Sequence, residues 1–298
     1  MTTQSLVFTF NSTNGGHSSL VTRIVNLNDT YLASSSSDTS VRMFDIKKLK
    51  LLYTFDSSNG GHISMVIVIT LLSNGYLVSG GNDNFIKIWN SINGELVYSM
   101  HAGIPTCLVA LDNGYFAFAG SENNLFFIKI WNGINGTLLF TFNSSNQGHT
   151  NTINYLEFLG NGFLASASSD NDVKIWNACN GILIKTFNSR NGGHSNAVQI
   201  LLYLKSYNYL ASGDFGGVIK IWDLTKMILV NQFDQTNGGH TDKVLRFALV
   251  GGGLLASGSK DTTVKVWDID QKILKYNFNS TYDGHKDLVQ CLMSFTFN

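Results

Sequence analysis

Apolar residues along this chain fall in short alternating or unbroken runs, and no segment sustains a helical period. The stretch GFLASASSDNDVKIWN, residues 162 to 177, shows the pattern. An apolar run leads to a turn with Ser169 and Asp170, and then Val173 and Ile175 alternate with Lys174 and Trp176. That period of two predicts strands on both sides of the turn. GILIKTFNS, residues 181 to 189, predicts a further strand, and NTINYLEFLGNG, residues 151 to 162, predicts one before. Glycine and asparagine mark the turns, as left-handed backbone requires. The single proline, Pro105, leaves the ladders almost uninterrupted.

This unit recurs. Histidines stand at 17, 62, 101, 149, 194, 240 and 285, and tryptophans at 89, 131, 176, 222 and 267, with Phe44 one period earlier. Every histidine and every tryptophan belongs to one lattice with a period near 45 residues. Loops of one type precede the histidines, as in NSTNGGH from residue 11 and NSRNGGH from residue 188. Their paired glycines could cradle an anion, but phosphate binding would want a helix N-terminus next, and a strand follows instead. Turn glycines with positive φ are the simpler reading. Four short strands per period predict a radially repeated antiparallel sheet.

The glycine–histidine pair, the serine-rich second strand, the turn aspartate and the terminal IWN, IWD or VWD resemble the WD-repeat β-propeller family over essentially the whole chain. The resemblance implies an all-β fold of four-stranded antiparallel blades. Six repeats supply all four strands from His17 through Phe278. QSLVFTFN at the start matches a fourth strand, and HKDLVQCLMSFTFN at the end matches a first strand. The expectation is a single domain, residues 1–298, with six complete blades plus an incomplete seventh, as in a fragment or shortened gene product. A closed six-bladed ring with surplus ends is the rival.

Composition narrows the class further. Of 298 residues 44% are apolar and 13% charged, enough for a substantial core. Lysine plus arginine equals aspartate plus glutamate, 20 against 20, which argues against nucleic acid or an anionic membrane as partner. Cys107, Cys179 and Cys291 are far apart and suit neither a disulfide frame nor a zinc site. The start has no basic stretch or long apolar run that would mark a signal peptide. Sequons at Asn11, Asn28, Asn135, Asn143 and Asn279 read as chance matches in an asparagine-rich chain. The expectation is a cytoplasmic protein, with the nucleus as alternative, and no cofactor or metal.

The resemblance also implies a buried network of His, Ser, Asp and Trp in each blade. Matching residues are His62, Ser79, Asp83 and Trp89; His149, Ser166, Asp170 and Trp176; and His240, Ser257, Asp261 and Trp267. Ser, His and Asp together could make a nucleophilic triad, but a triad would occur once, and this set recurs. Three repeats depart from the pattern. The first has His17, Ser34 and Asp38 but Phe44. The third has Met100 before His101, Phe118 for serine, Glu122 for aspartate and three extra residues around Phe126 and Phe127. The fifth has Gly216 at the acid position, with Asp214 two residues earlier. These three should be the less rigid blades. Phe126 and Phe127 could form a contact site, though packing against a neighbouring blade is the favoured reading.

In function the resemblance implies a protein-interaction scaffold rather than an enzyme, binding a protein or peptide. Its contact face would bear the loops before the first strands and the turns after the second. The matching ring is Thr22, Ile67, Thr106, Asn154, Gln199, Leu245 and Gln290. The turns add Ser37, Asn82, Ser121, Ser169, Phe215 and Lys260. Ile67, Leu245 and Phe215 are candidate anchors. An enzymatic propeller would need converging charged groups, and this ring offers only Lys260. A third reading is the substrate-recognition propeller of a larger ubiquitin-ligase adaptor or kinase.

Overall fold

The computed structural model describes residues 9–279, 285, 287–289 and 292. Among them the chain forms six four-stranded antiparallel sheets, each a meander in sequence order. Numbered as blades, they span 21–55, 66–101, 104–143, 153–187, 198–233 and 244–278. The chain divides into two compact units, Met1–Phe142 and Asn143–Asn298. Blades one to three make up the first and blades four to six the second. No helix among the described residues is long and apolar enough to cross a membrane.

Burial explains the composition of each strand. Second strands such as Phe163–Ser168 run through Ala165, Ser166 and Ala167, all fully buried. A strand covered on both faces must carry apolar or small residues throughout. Third strands carry the bulk: Trp89, Trp176, Trp222 and Trp267 are wholly enclosed. A phenylalanine closing one blade's fourth strand packs on the next blade's tryptophan. Ring centroids are 4.8 Å apart for Phe55–Trp89, 4.3 Å for Phe187–Trp222 and 4.4 Å for Phe233–Trp267. Such pairs add about 0.5–1.5 kcal/mol beyond their buried area. Phe10 stands 4.5 Å from Phe44 in the same relation.

The repeated asparagine–glycine loops are capping devices. In residues 56–61, Asp56 accepts from Ser58 N at 2.9 Å while Asn59 Oδ1 accepts from Asp56 N at 3.0 Å. This reciprocal box closes a single 3-10 turn, Ser57–Asn59. Gly60 ends it at φ 81°, and a Cβ on Gly61 would collide with the Asp56 carbonyl. The same box closes residues 143–146, 188–191 and 234–237. The glycines serve backbone geometry.

Of the expected seventh blade, most falls outside the described residues. Val289 N donates to Ser259 O at 3.1 Å, and its side chain meets Gly258 as that of Val244 meets Gly213. It thus holds the place where a further first strand begins.

Candidate functional site

Blade four shows how the recurring polar residues are joined. Trp176 Nε1 donates to Ser166 Oγ at 2.8 Å, and that oxygen lies 2.7 Å from His149 Nε2. His149 Nδ1 lies 2.8 Å from Asp170 Oδ2, which also accepts from Thr150 N at 2.9 Å. Indole only donates and carboxylate only accepts, so Ser166 donates to Nε2 and Nδ1–H donates to Asp170. The imidazole is neutral: burial pushes His149 below its ordinary value against the pull of Asp170. Burial alone would raise Asp170, but hydrogen bonds from His149 and two backbone N–H groups outweigh it and hold the acid at about 2. Blade two repeats the chain through Trp89, Ser79, His62 and Asp83. Blade six does so through Trp267, Ser257, His240 and Asp261. The serines are fully buried, and each hydroxyl already accepts an indole proton. None is placed as a nucleophile.

A lysine beside each network escapes the alternation pattern. Lys174 is buried, with Nζ 2.7 Å from Gln147 O and 3.2 Å from Gly148 O. Lys265 does the same to Gly238 O and Gly239 O. These stems lie along apolar surface while the ammonium groups fasten the capping loop. The available signal was a lysine two residues before every tryptophan, at 87, 129, 174, 220 and 265.

The expected ring residues share one structural feature. Thr22, Ile67, Thr106, Asn154, Gln199 and Leu245 each sit at the register shift near the start of a first strand. A bulge leaves one residue unpaired and re-aims its side chain. Two of them spend their polar atoms on the neighbouring blade. Thr22 Oγ1 donates to Val66 O at 2.6 Å, and Asn154 Nδ2 to Val198 O at 2.8 Å. Thr106 Oγ1 donates to Ala119 O in its own blade at 3.2 Å. Ser169 Oγ lies 3.0 Å from Asn154 Nδ2. Ser37 and Ser121 are half-buried and Asn82 is exposed. Gln290 lies outside the described residues.

Four of the expected contact residues come together in the second unit. Gln199, Leu245 and Lys260 line an open cleft of about 360 Å³ with Lys243, Arg246 and Leu288. Phe215 borders it, its ring 3.9 Å below Lys243 Nζ, a cation–π distance. Arg246 follows the bulged Leu245, and Lys243, just before the strand, accepts from Lys260 N through its carbonyl, so both belong beside it. The expectation that Lys260 is the only ionisable group there is therefore corrected. Simple alternation sends the residue after a bulge to the opposite face, which is why Arg246 was missed, and Lys243 lies outside the strand.

The model of the family described as WD domain, G-beta repeat matches residues 5–45, 49–90, 136–177, 181–223 and 231–268. The chain belongs to that family. Its structure is similar to the WD40 β-propeller domain of Doa1, with a TM-score of 0.65 at 22% identity, covering 89% of this chain and 84% of that one. This likeness shows the fold. No curated protein sequence matches the chain.

The WD repeats that depart from the pattern do so in three ways. In the fifth, the expectation of a weakened network is corrected. Asp214 ends the second strand, and its Oδ2 lies 2.9 Å from His194 Nδ1, with Ser212 and Trp222 completing the chain. Oδ1 accepts from Gly216 N and Val218 N, each at 2.9 Å. In the first repeat His17, Ser34 and Asp38 connect, and Arg42 reaches Gly15 O and Gly16 O at 2.9 and 2.7 Å. The first three strands of the third repeat lie in residues 91–135, which the family model passes over. Phe118 and Phe127 are buried in it, with ring centroids 6.1 Å apart. Phe126 is half-buried. Phe127 joins a core cluster with Ile86 and Ile88 of blade two. His101 is exposed, its Nδ1 3.7 Å from Glu122.

Proposed function

We propose that the chain is a non-catalytic interaction scaffold that binds a partner protein or peptide on the face bearing its bulges and turns. The observation that carries this reading is the cleft between blades five and six. Bulged first strands there present Gln199 and Leu245, with Phe215 and Lys260 contributed by adjoining turns. A half-buried aromatic beside aliphatic and cationic side chains has the composition of an interface hot spot. The Ser-His-Asp sets, which would be the raw material of a hydrolase, are enclosed and serve the blades. We place the protein in the cytoplasm or nucleus, where an exposed cysteine such as Cys179 stays reduced.

Affinity capture followed by mass spectrometry tests this, with wild type beside Phe215→Ala combined with Leu245→Ala. Truncating true hot spots costs about 2 kcal/mol or more of binding. Loss of specific partners at an unchanged melting temperature is the expected result. An identical set of partners on both proteins moves the site to another surface.

A further inference from the structure

We propose that the cleft between blades five and six selects acidic peptide segments, in which Asp or Glu side chains flank an apolar one. This deepens the scaffold reading and rests on it. The argument starts from equivalence. One backbone bond recurs after the second strand of five blades: Ser37 N to Leu20 O, Asn82 N to Met65 O, Ser169 N to Thr152 O, Phe215 N to Ala197 O and Lys260 N to Lys243 O. In blade three the same positions, Ser121 and Ile104, pair in the ladder. The two positions meeting in this bond, with the residue after the bulge, define three equivalent sites in every blade.

Blade six fills all three with cations, Lys243, Arg246 and Lys260. Elsewhere the sites hold neutral residues, such as Thr152, Tyr155 and Ser169 in blade four or Ala197, Ile200 and Phe215 in blade five. The sole exception is Arg23 in blade one. The fold therefore does not demand charge at these sites. Nor is it a reflection of a basic protein, since the chain as a whole carries equal numbers of each sign.

The three cations are poorly neutralised. Lys260 Nζ lies 3.6 Å from Asp242 Oδ2, both side chains being substantially exposed, so that pair is weak. Lys243 Nζ rests over the Phe215 ring, and Arg246 Nη1 donates to Leu245 O at 2.6 Å. Among the described residues neither has a carboxylate partner within ion-pair distance. Leu245 and Leu288 supply an apolar lining to the same cleft. Two ammonium groups and one partly engaged guanidinium around leucine side chains complement carboxylates set beside an apolar residue. Such complementarity governs partner choice and encounter rate.

A random peptide library displayed on phage and panned against the full chain provides the test. Enriched sequences should place Asp or Glu next to Leu, Phe or Tyr, and synthetic copies should bind more weakly as salt rises. Lys243→Thr, Arg246→Tyr and Lys260→Ser, which give blade six the neutral set of blade four, should weaken those peptides about tenfold or more. The melting temperature should hold, because blade four folds with the same residues. Enrichment of neutral or basic sequences, no enrichment at all, or acidic peptides that bind the triple variant unchanged would each overturn the proposal. Partner capture from lysate separates the two readings. Partners lost on Phe215→Ala with Leu245→Ala but kept by the triple variant leave the scaffold standing without its acidic preference. Partners kept by both sets of variants remove the scaffold site as well.

Discussion

In blade four, Trp176 donates to Ser166 and the chain of hydrogen bonds runs on to Asp170. In blade three, Trp131 stands at the equivalent place on its third strand, and its Nε1 is buried with no hydrogen-bond partner among the described residues. Phe118 fills the serine position, Phe127 packs against it, and Lys129 Nζ lies 4.2 Å over the Phe127 ring while donating to Ala102 O. Both blades keep the same strand order and an enclosed core. One secures its loop with a polar chain, the other with aromatic bulk. The difference teaches that the sheet does not need the network, whereas a blade built around it cannot lose one member cheaply. A net hydrogen bond is worth about 1 kcal/mol, but a buried polar group left alone costs about 1–3 kcal/mol.

The strongest way to break this comparison is to give blade three the residue its relatives use. Phe118→Ser would offer Trp131 an acceptor, worth about 1 kcal/mol. It would also empty a fully enclosed phenylalanine site, and such truncations cost about 3–5 kcal/mol. The expected result in a denaturant titration is a net loss of about 2–4 kcal/mol, although the change follows the pattern of the other blades. A stabilised protein would show that the aromatic cluster is a defect rather than an alternative core.

What could be read beforehand follows from what repeats. His149 to Asp170 spans 21 residues and recurs in blades one, two and six, so matching each repeat to the family pattern marked the members of those networks. His194 to Asp214 spans 20, because the acid comes from the end of the strand instead of the turn. Matching positions from Ser212 and Trp222 therefore put Gly216 in its place. The role of Lys174 was not foreseen because alternation tells which face a side chain leaves from, not where a long stem carries its charge. Arg246 was passed over because a bulge is a property of pairing between strands, and Lys243 because it stands before the first strand begins. The blades, then, were legible from one sequence, while the character of the cleft was not.

A second contrast concerns the first strands. Glu157 in blade four occupies the register position held by Val109 in blade three. Its Oε1 accepts from Tyr203 N of blade five at 2.9 Å. Burial pushes its carboxyl up to about 7, with that hydrogen bond pulling the other way. The folded chain thus holds a proton here that the unfolded chain releases near 4.5, the ordinary value. Stability from this group is full below about pH 4.5 and is lost as pH rises through about 7. Glu157→Gln removes the titration. Its melting temperature relative to wild type should climb across that window, by an amount equivalent to about 3 kcal/mol. Subtracting the two profiles cancels the opposite slope from His149, His194 and His240, whose burial keeps them neutral. A flat difference would mean that Glu157 remains ionised in the folded state.

The smallest effect gives the sharpest contrast, because one substitution is made in both blades. Trp176→Phe deletes the indole donor to Ser166 and leaves a small void. Ser166 keeps His149 as its acceptor, so the hydroxyl proton stays satisfied. An accepted bond worth about 1 kcal/mol is lost together with the packing of the larger ring, and the cost should be about 2–4 kcal/mol. Trp131→Phe makes the same void, but the N–H it removes has no partner to lose. Relief of that buried donor is worth about 1–3 kcal/mol, of the same size as the packing forfeited. Its stability should therefore stay within about 0.5 kcal/mol of wild type or rise. Equal losses at the two positions, measured by chemical denaturation under identical conditions, would mean that Trp131 Nε1 is hydrogen-bonded in solution, and the distinction between a polar and an aromatic blade would fall with it.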